Sequence, residues 1–314
     1  MYDPSFLYLK KVRVRKNVIP HHKNQCMKIG FIGLGNLGTP IAENLLEKRK
    51  ELYVYNRTAA KAQHLIAKGA TLCQSVKELA SLCDIVISIV SDDAAINNIT
   101  QGENGIAANL KAEGIHISMS TILPATSIAL AQLHQQHNNN YITAPILGRP
   151  EAAKARKLNF LVSGNEELQD VIEPILHDAG AVNIWTYGED AGAANTAKLC
   201  SNYLIVSAIQ AMSEGISLAR HSGIDAEQWM NMLTQTIFAA PAYINYGNLL
   251  LKEAYQPAAF SLKLALKDVN LVAEQASETQ ANMPLGKLLQ QQMNKCIEKG
   301  MGDYDVTALA LALS

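Results

Sequence analysis

Two stretches of this 314-residue sequence hold residues whose types and spacing can do chemistry. The first is Asn195-Thr196-Ala197-Lys198-Leu199-Cys200-Ser201-Asn202. Lys198 and Asn202 stand at i and i+4, with Asn195 at i−3, so on a helix all three share one face. An ammonium beside a carbonyl stabilises the alkoxide that develops as hydride arrives and then supplies its proton, and losing such a donor costs about 2.7–4 kcal/mol. Amide side chains orient the amine and the substrate. A single helical lysine is more often a solvated residue, so spacing alone does not assign this role.

The second stretch is Ile29-Gly30-Phe31-Ile32-Gly33-Leu34-Gly35-Asn36-Leu37-Gly38, an apolar strand running into G-x-G-x-x-G. Gly33 permits the tight turn, Gly35 lets a pyrophosphate approach the backbone, and Gly38 lets the next helix pack against the sheet. A glycine-rich structural turn is the alternative. A strand before, a helix after and a second strand at Leu52–Tyr55 favour the dinucleotide site, with Asn36 and Leu37 in its turn. The second strand ends Tyr55-Asn56-Arg57-Thr58, where an NAD site usually has a carboxylate for the ribose hydroxyl. Arg57 can pair with a 2′-phosphate, and Asn56 and Thr58 can donate hydrogen bonds, so NADP(H) is expected rather than NAD.

The elements that must position these residues follow from periodicity. From Met27 to about Tyr187, short apolar runs alternate with helical stretches, the pattern of successive βα units around a parallel sheet. Candidate strands are 29–32, 52–55, 85–89, 115–119, 141–143, 160–162 and 184–186; candidate helices are 39–47, 59–68, 75–82, 125–134 and 166–179. The expected fold is a doubly wound α/β Rossmann domain over 27–190, followed by an all-α domain over 191–314. A long helix at Ala191–Arg220 enters that second domain, with further helices near 226–236, 243–251, 261–280 and 285–299. Val90-Ser91 and Ser120-Thr121 fall at carboxyl ends of strands, the edge where open α/β sheets bind ligands. Val90, Ser91 and Thr121 are therefore expected near the nicotinamide ribose and Ser120 near the substrate; Ser120 and Thr121 read equally well as helix caps ahead of Pro124.

Composition narrows the partners. A net charge of −1 with both signs dispersed offers no general attraction to nucleic acid or an anionic membrane, so a small-molecule substrate is expected. No apolar run approaches the roughly 20 residues that span a bilayer. Cys26, Cys73, Cys83, Cys200 and Cys296 are scattered without a C-x-x-C pair and fit reduced cytosolic thiols; the histidines lack metal-ligand spacing, so no metal is expected. Residues 1–26 form a basic extension, Lys10, Lys11, Arg13, Arg15, Lys16 and Lys23 against Asp3, that reads as nonessential, with Met27 as a candidate start. Apolar surface along the long helix points to a homodimer or homotetramer.

The order G-L-G-N-L-G-T-P-I-A-E-N-L, N-R-T, S-T-x-x-P, A-P-x-x-G, G-A-x-x-x-x-K-x-x-x-N and K-D-x-x-L resembles the 3-hydroxyisobutyrate dehydrogenase family, within the beta-hydroxyacid dehydrogenases and the wider 6-phosphogluconate dehydrogenase-like group. The resemblance covers nearly all of Met27–Ala308. It implies a catalytic Lys198, a substrate-binding amide at Asn202, and Lys267 reaching the cofactor across the interdomain cleft. One stretch departs. Where the family commonly has D-x-P-V-S-G-G and then A-x-x-G-x-L, this chain reads Thr143-Ala144-Pro145-Ile146-Leu147-Gly148-Arg149-Pro150 and then Ala153-Lys154-Ala155-Arg156-Lys157-Leu158. Leu147 has no side-chain donor, while Arg149 can bind a carboxylate beside Gly148 or fill the pocket against it. Arg156 would change the loop if its position requires positive φ. The expected activity is hydride transfer between NADP(H) and a small β-hydroxy acid and its semialdehyde or keto acid. An imine reductase and a nonenzymatic NADP-binding protein are the alternatives; imine reductases resemble the fold but commonly carry Asp or Tyr in place of the lysine.

Overall fold

A computed structural model of the chain describes residues 27–313; the basic segment 1–26 lies outside the described residues. Strand and helix alternate first through β1 (Ile29–Ile32), α1 (Gly38–Arg49), β2 (Tyr53–Tyr55), α2 (Gln63–Ala67), β3 (Thr71–Leu72) and α3 (Val76–Leu82). Next come β4 (Ile85–Ser88), α4 (Asp93–Thr100), α5 (Ile106–Asn109), β5 (Ile115–Ser118), α6 (Pro124–Gln136) and β6 (Asn140–Thr143). The sheet is completed by β7 (Ile146–Leu147), α7 (Pro150–Lys154), β8 (Leu158–Gly164), α8 (Gln169–Ala179) and β9 (Ala181–Thr186).

Spatial order runs β3-β2-β1-β4-β5-β6-β8-β7, with β9 paired to β8. From β3 to β6 every pairing is parallel, so the carboxyl ends of β1, β4, β5 and β6 share one edge. Beyond β6 the expected run of parallel units breaks, because β8 is antiparallel to both β6 and β7. The link from β7 to β8 carries only the five-residue α7, too little to build a helical crossover, which takes a dozen or more residues. Parallel pairing resumes at β9, reached through α8. The two-residue β3 and β7 and the short α4, α5 and α7 were not expected from the sequence; a pattern needs several residues before its period shows.

The strands of the inner sheet are buried on both faces: β1, β4 and β5 are buried at every position. One face packs on α1 and α8 through Ile41, Leu45, Ile172 and Leu176; the other holds Leu79, Ile106 and Leu110. Each fully buried Leu or Ile of this kind contributes roughly 1.5–3 kcal/mol.

Among the described residues, the regular elements after β9 are all helical. They comprise the 29-residue α9 (Ala193–His221), α10 (Ala226–Gln235), α11 (Pro241–Leu251), α12 (Leu262–Thr279), α13 (Pro284–Glu298) and a 3₁₀ segment at Val306–Leu313. A separate core of Val206, Ile209, Met230, Val269, Leu289 and Met293 holds them together. Prolines at the first turns of α11 and α13 fit because their missing N–H would be unpaired there in any case. Leu199, Leu271 and Val272 pack with Leu123 of the sheet region, so α9 and α12 are seated against the carboxyl edge of the sheet.

Candidate active site

Glycine shapes the turn after β1 at two points. Gly33 has φ +102°, and a Cβ there would run into the Ile89 carbonyl oxygen. At Gly38 a Cβ would strike the Gly33 carbonyl oxygen, so the helix can approach the turn only without one. Gly35 differs: no protein atom lies within 4 Å of where its Cβ would stand, leaving that face open to a ligand. Leu37 occupies the N-cap of α1 with no side-chain capping bond, and no acid sits in the first turn. Free N–H groups and the positive helix end therefore remain available to a pyrophosphate, with Asn36 exposed beside them.

At the end of β2, Asn56 is a staple: its Oδ1 accepts from Leu34 N at 2.9 Å and its Nδ2 donates to the Thr58 carbonyl at 2.9 Å. It fixes the glycine turn from the side, while Arg57 and Thr58 are exposed beyond it. These residues fit a dinucleotide, with an open glycine face and an uncapped helix beside an exposed guanidinium.

The loops after β4 and β5 are tied together. Ser120 Oγ accepts from Val90 N at 2.9 Å, and Asp93 Oδ1 accepts from Leu123 N at 3.0 Å. Ser91 Oγ donates to Asp92 Oδ2 at 2.7 Å, and Asp92 caps α4 by accepting from Ala95 N. Ser120 thus bridges two loops and does not cap α6; Leu123 holds that N-cap without a side-chain bond.

Over this edge lies α9. Lys198 is buried, 9% exposed, and among the described residues no hydrogen bond engages its Nζ. Burial pushes its pKa down to about 8; the nearby Asp268 carboxylate opposes the shift, and Lys267 adds to it. Asn202, one turn on, donates from Nδ2 to Asp268 Oδ2 at 2.6 Å. Lys267 Nζ donates to the Thr121 carbonyl at 2.7 Å and stands 2.8 Å from Asp268 Oδ1, an ion pair rather than a directed hydrogen bond. Lys198, Asn202, Lys267 and the Ser120-Thr121 loop therefore meet at this edge. Asn195 goes elsewhere. It is fully buried, its Oδ1 accepting from Ile122 N at 3.3 Å and its Nδ2 donating to Ser127 Oγ at 2.9 Å, so it docks α9 onto the sheet rather than facing a ligand.

Asp268 was missed as a site residue. The signal was present, since it follows Lys267 in the K-D pair, but only the fold shows that its carboxylate is 3% exposed and shared by Asn202 and Lys267.

Residues 28–188 match the NAD binding domain of 6-phosphogluconate dehydrogenase, and residues 192–313 match the NAD-binding domain of NADP-dependent 3-hydroxyisobutyrate dehydrogenase. The chain belongs to the beta-hydroxyacid dehydrogenase family. It is 39% identical to the uncharacterized oxidoreductase YfjR of Bacillus subtilis, covering 90% of this chain and 98% of that one. It is also 29% identical to 2-hydroxy-3-oxopropionate reductase of Escherichia coli, over 91% of this chain and 97% of the relative. Among solved structures, 3-hydroxyisobutyrate dehydrogenase of Mycobacterium tuberculosis with L-serine superposes at TM-score 0.81, with 25% identity over 91% of this chain and 99% of the other.

Against the beta-hydroxyacid dehydrogenase pattern, the departures now have structural answers. Arg156 does adopt positive φ, +54°, so the loop keeps a left-handed residue without glycine. Its guanidinium offsets that cost by donating to the Asp178 carbonyl at 3.0 Å, the Asn44 carbonyl at 3.3 Å and Glu47 Oε2 at 2.7 Å. Thr307 Oγ1 donates to Asp305 Oδ1 at 3.1 Å. Arg149 is not left free beside Gly148: its Nη2 donates to Asp305 Oδ2 at 3.0 Å, and the guanidinium carbon lies 5.2 Å from the centre of the Tyr246 ring.

Proposed function

We propose that the chain is an NADP(H)-dependent reductase that interconverts a small semialdehyde or keto acid and its β-hydroxy acid, with Lys198 as proton donor and alkoxide stabiliser. A dinucleotide-binding domain over 27–190 and a helical substrate domain over 191–314 complete the reading. The observation that carries it is the buried Lys198 with its pKa near 8, in the field of an Asp268 carboxylate that binds Asn202 and pairs with Lys267 at the sheet's ligand edge. An amine poised near neutral pH gives up and regains its proton readily, as a general acid and base must.

Gly33, Gly35, Asn36, Leu37 and Gly38 would hold the pyrophosphate, Asn56, Arg57 and Thr58 the adenosine ribose and its phosphate, and Val90, Ser91, Thr121 and Lys267 the nicotinamide side. The bound cofactor supplies hydride to the carbonyl carbon. Lys198 donates a hydrogen bond to the carbonyl oxygen as charge builds there and transfers a proton to it, giving the hydroxyl. Asn202, held by Asp268, orients the substrate, with Ser120 and Gly148 lining its position. Support for NADP(H) over NAD comes from Arg57 and the missing carboxylate at the end of β2. Aldehyde acids are favoured because a relative 28% identical over 91% of this chain is Glyoxylate/succinic semialdehyde reductase 1 of Arabidopsis thaliana. Exposed Leu204, Leu218 and Ile237 support assembly as a homodimer or homotetramer.

Oxidation of NADPH and NADH with glyoxylate, succinic semialdehyde, methylmalonate semialdehyde and a cyclic imine, wild type beside Lys198→Ala, tests the reading. Turnover of an aldehyde acid with NADPH, lost in the variant, is the expected result. Turnover of the imine alone would replace it with an imine reductase, and NADPH binding without any turnover would point to a nonenzymatic role.

A further inference from the structure

We propose that Arg149 is a positioning residue for the lysine centre, acting across the cleft through Asp305 rather than binding substrate; this rests on the catalytic role proposed for Lys198. Arg149 belongs to the sheet region, at the N-cap of α7, whereas Asp305 belongs to the helical region. Asp305 is 1% exposed and gathers the helical segments around it. Its Oδ2 accepts from Ala259 N at 3.2 Å and Phe260 N at 3.3 Å, the residues leading into α12; its Oδ1 accepts from Thr307 N and Oγ1. Arg149 grips the same Oδ2 and lies over Tyr246 of α11.

The entry to α12 is therefore fastened to the sheet region from two sides. Arg149 holds Asp305 and with it residues 259–260, while Lys267 on α12 donates to the Thr121 carbonyl. Between those ties and the lysine stands Asp268 on the same helix, bonded to Asn202. Because one rigid helix carries both fastening and carboxylate, loosening the Arg149 end shifts Asp268 against Lys198 and Asn202. An ion pair with one nearly dry partner is strong enough to matter, since removing the cation leaves a buried charge short of a partner. The same pairing speaks against Arg149 as the main carboxylate ligand: its charge is met by Asp305, and its Nη1, though without a hydrogen-bond partner, is buried.

The test compares wild type, Arg149→Met and Arg149→Lys by steady-state kinetics with succinic semialdehyde and with butanal, its uncharged analogue, and by amide hydrogen exchange. Arg149→Met is expected to lower kcat about tenfold on both aldehydes while KM moves less than about twofold, as for a coupled network distant from the substrate. Arg149→Lys recovers part of kcat, and in Arg149→Met the amides of Ala259, Phe260 and the first turn of α12 exchange faster. A KM increase confined to the acid, with kcat kept, would overturn the proposal and make Arg149 a carboxylate ligand; unchanged exchange at 259–265 would overturn it as well. Hydrogen exchange needs no turnover, so the clasp is tested even if wild type reduces neither aldehyde, an outcome that would count against the proposed function instead.

Discussion

At the scale of single residues, the charge on Lys198 sets the direction of pH dependence. Its pKa is brought to about 8 by burial, with Asp268 holding it up and Lys267 pressing it down. Reduction needs the protonated amine, so kcat/KM for aldehyde reduction should bend downward above pH about 8; oxidation of the hydroxy acid needs the free amine and should rise through the same pH. Asp268→Asn removes the attraction that favours the ammonium, so both limbs should move to lower pH. A pH profile insensitive to Asp268→Asn would show that the carboxylate does not act on the lysine. Arg57 sits at the same scale. Charge-assisted hydrogen bonds are worth about 1.5–3 kcal/mol, so Arg57→Ala should raise KM for NADPH by roughly 10- to 100-fold and leave that for NADH nearly unchanged. Equal losses on both cofactors would mean that Arg57 does not read the 2′-phosphate.

At the scale of elements, β1, its turn and α1 make a unit whose glycines have separable duties. Gly35→Ala adds a methyl where no protein atom stands within 4 Å, so the melting temperature should stay close to wild type while NADPH binding weakens by tenfold or more, about 1.4 kcal/mol. Gly38→Ala puts the methyl into the Gly33 carbonyl and should cost both binding and stability. Isothermal titration beside thermal melts separates the two variants. Here the sequence was legible because a strand, a tight turn and a helix leave a spaced signature in residue types. The long α9 was legible for the same reason, expected at 191–220 and found at Ala193–His221. What could not be read was pairing between distant segments. Antiparallel β8 depends on the length of a link, and the opposite fates of Asn195 and Asn202, one buried against Ser127 and one bonded to Asp268, depend on which neighbour α9 meets. Helical spacing puts all three polar residues on one side; tertiary contact divides them. Arg149 was ambiguous in sequence because Asp305 lies far along the chain.

At the scale of the whole molecule, stability should depend on pH through two histidines inside the sheet region. Asn139 Nδ2 donates to the carbonyls of Ala107 and Leu110, so its Oδ1 is the acceptor 2.6 Å from His134 Nδ1. His134 therefore carries its proton on Nδ1 and accepts at Nε2 from His116 Nδ1, 3.0 Å away. His116 Nε2 in turn accepts from Ser88 Oγ at 2.8 Å. With both rings neutral every bond of this chain is made, whereas protonating both would set two ring N–H donors facing each other. Burial accordingly lowers both pKa values, that of His116 well below the ordinary range and that of His134 to about 4. The unfolded chain protonates both near pH 6.5 while the folded chain does not, so it binds more protons and stability must rise with pH. The contribution is fully present above pH 6.5 and is lost as pH falls from there toward 4, each ring giving a slope that approaches about 1.4 kcal/mol per pH unit. Urea denaturation at pH 7, 6 and 5, above the range where most carboxylates titrate, should show the unfolding free energy decreasing at each step. Constant stability over those three points would mean that one of the rings accepts a proton within the fold, and the one-way chain from Ser88 to Asn139 would have to be redrawn.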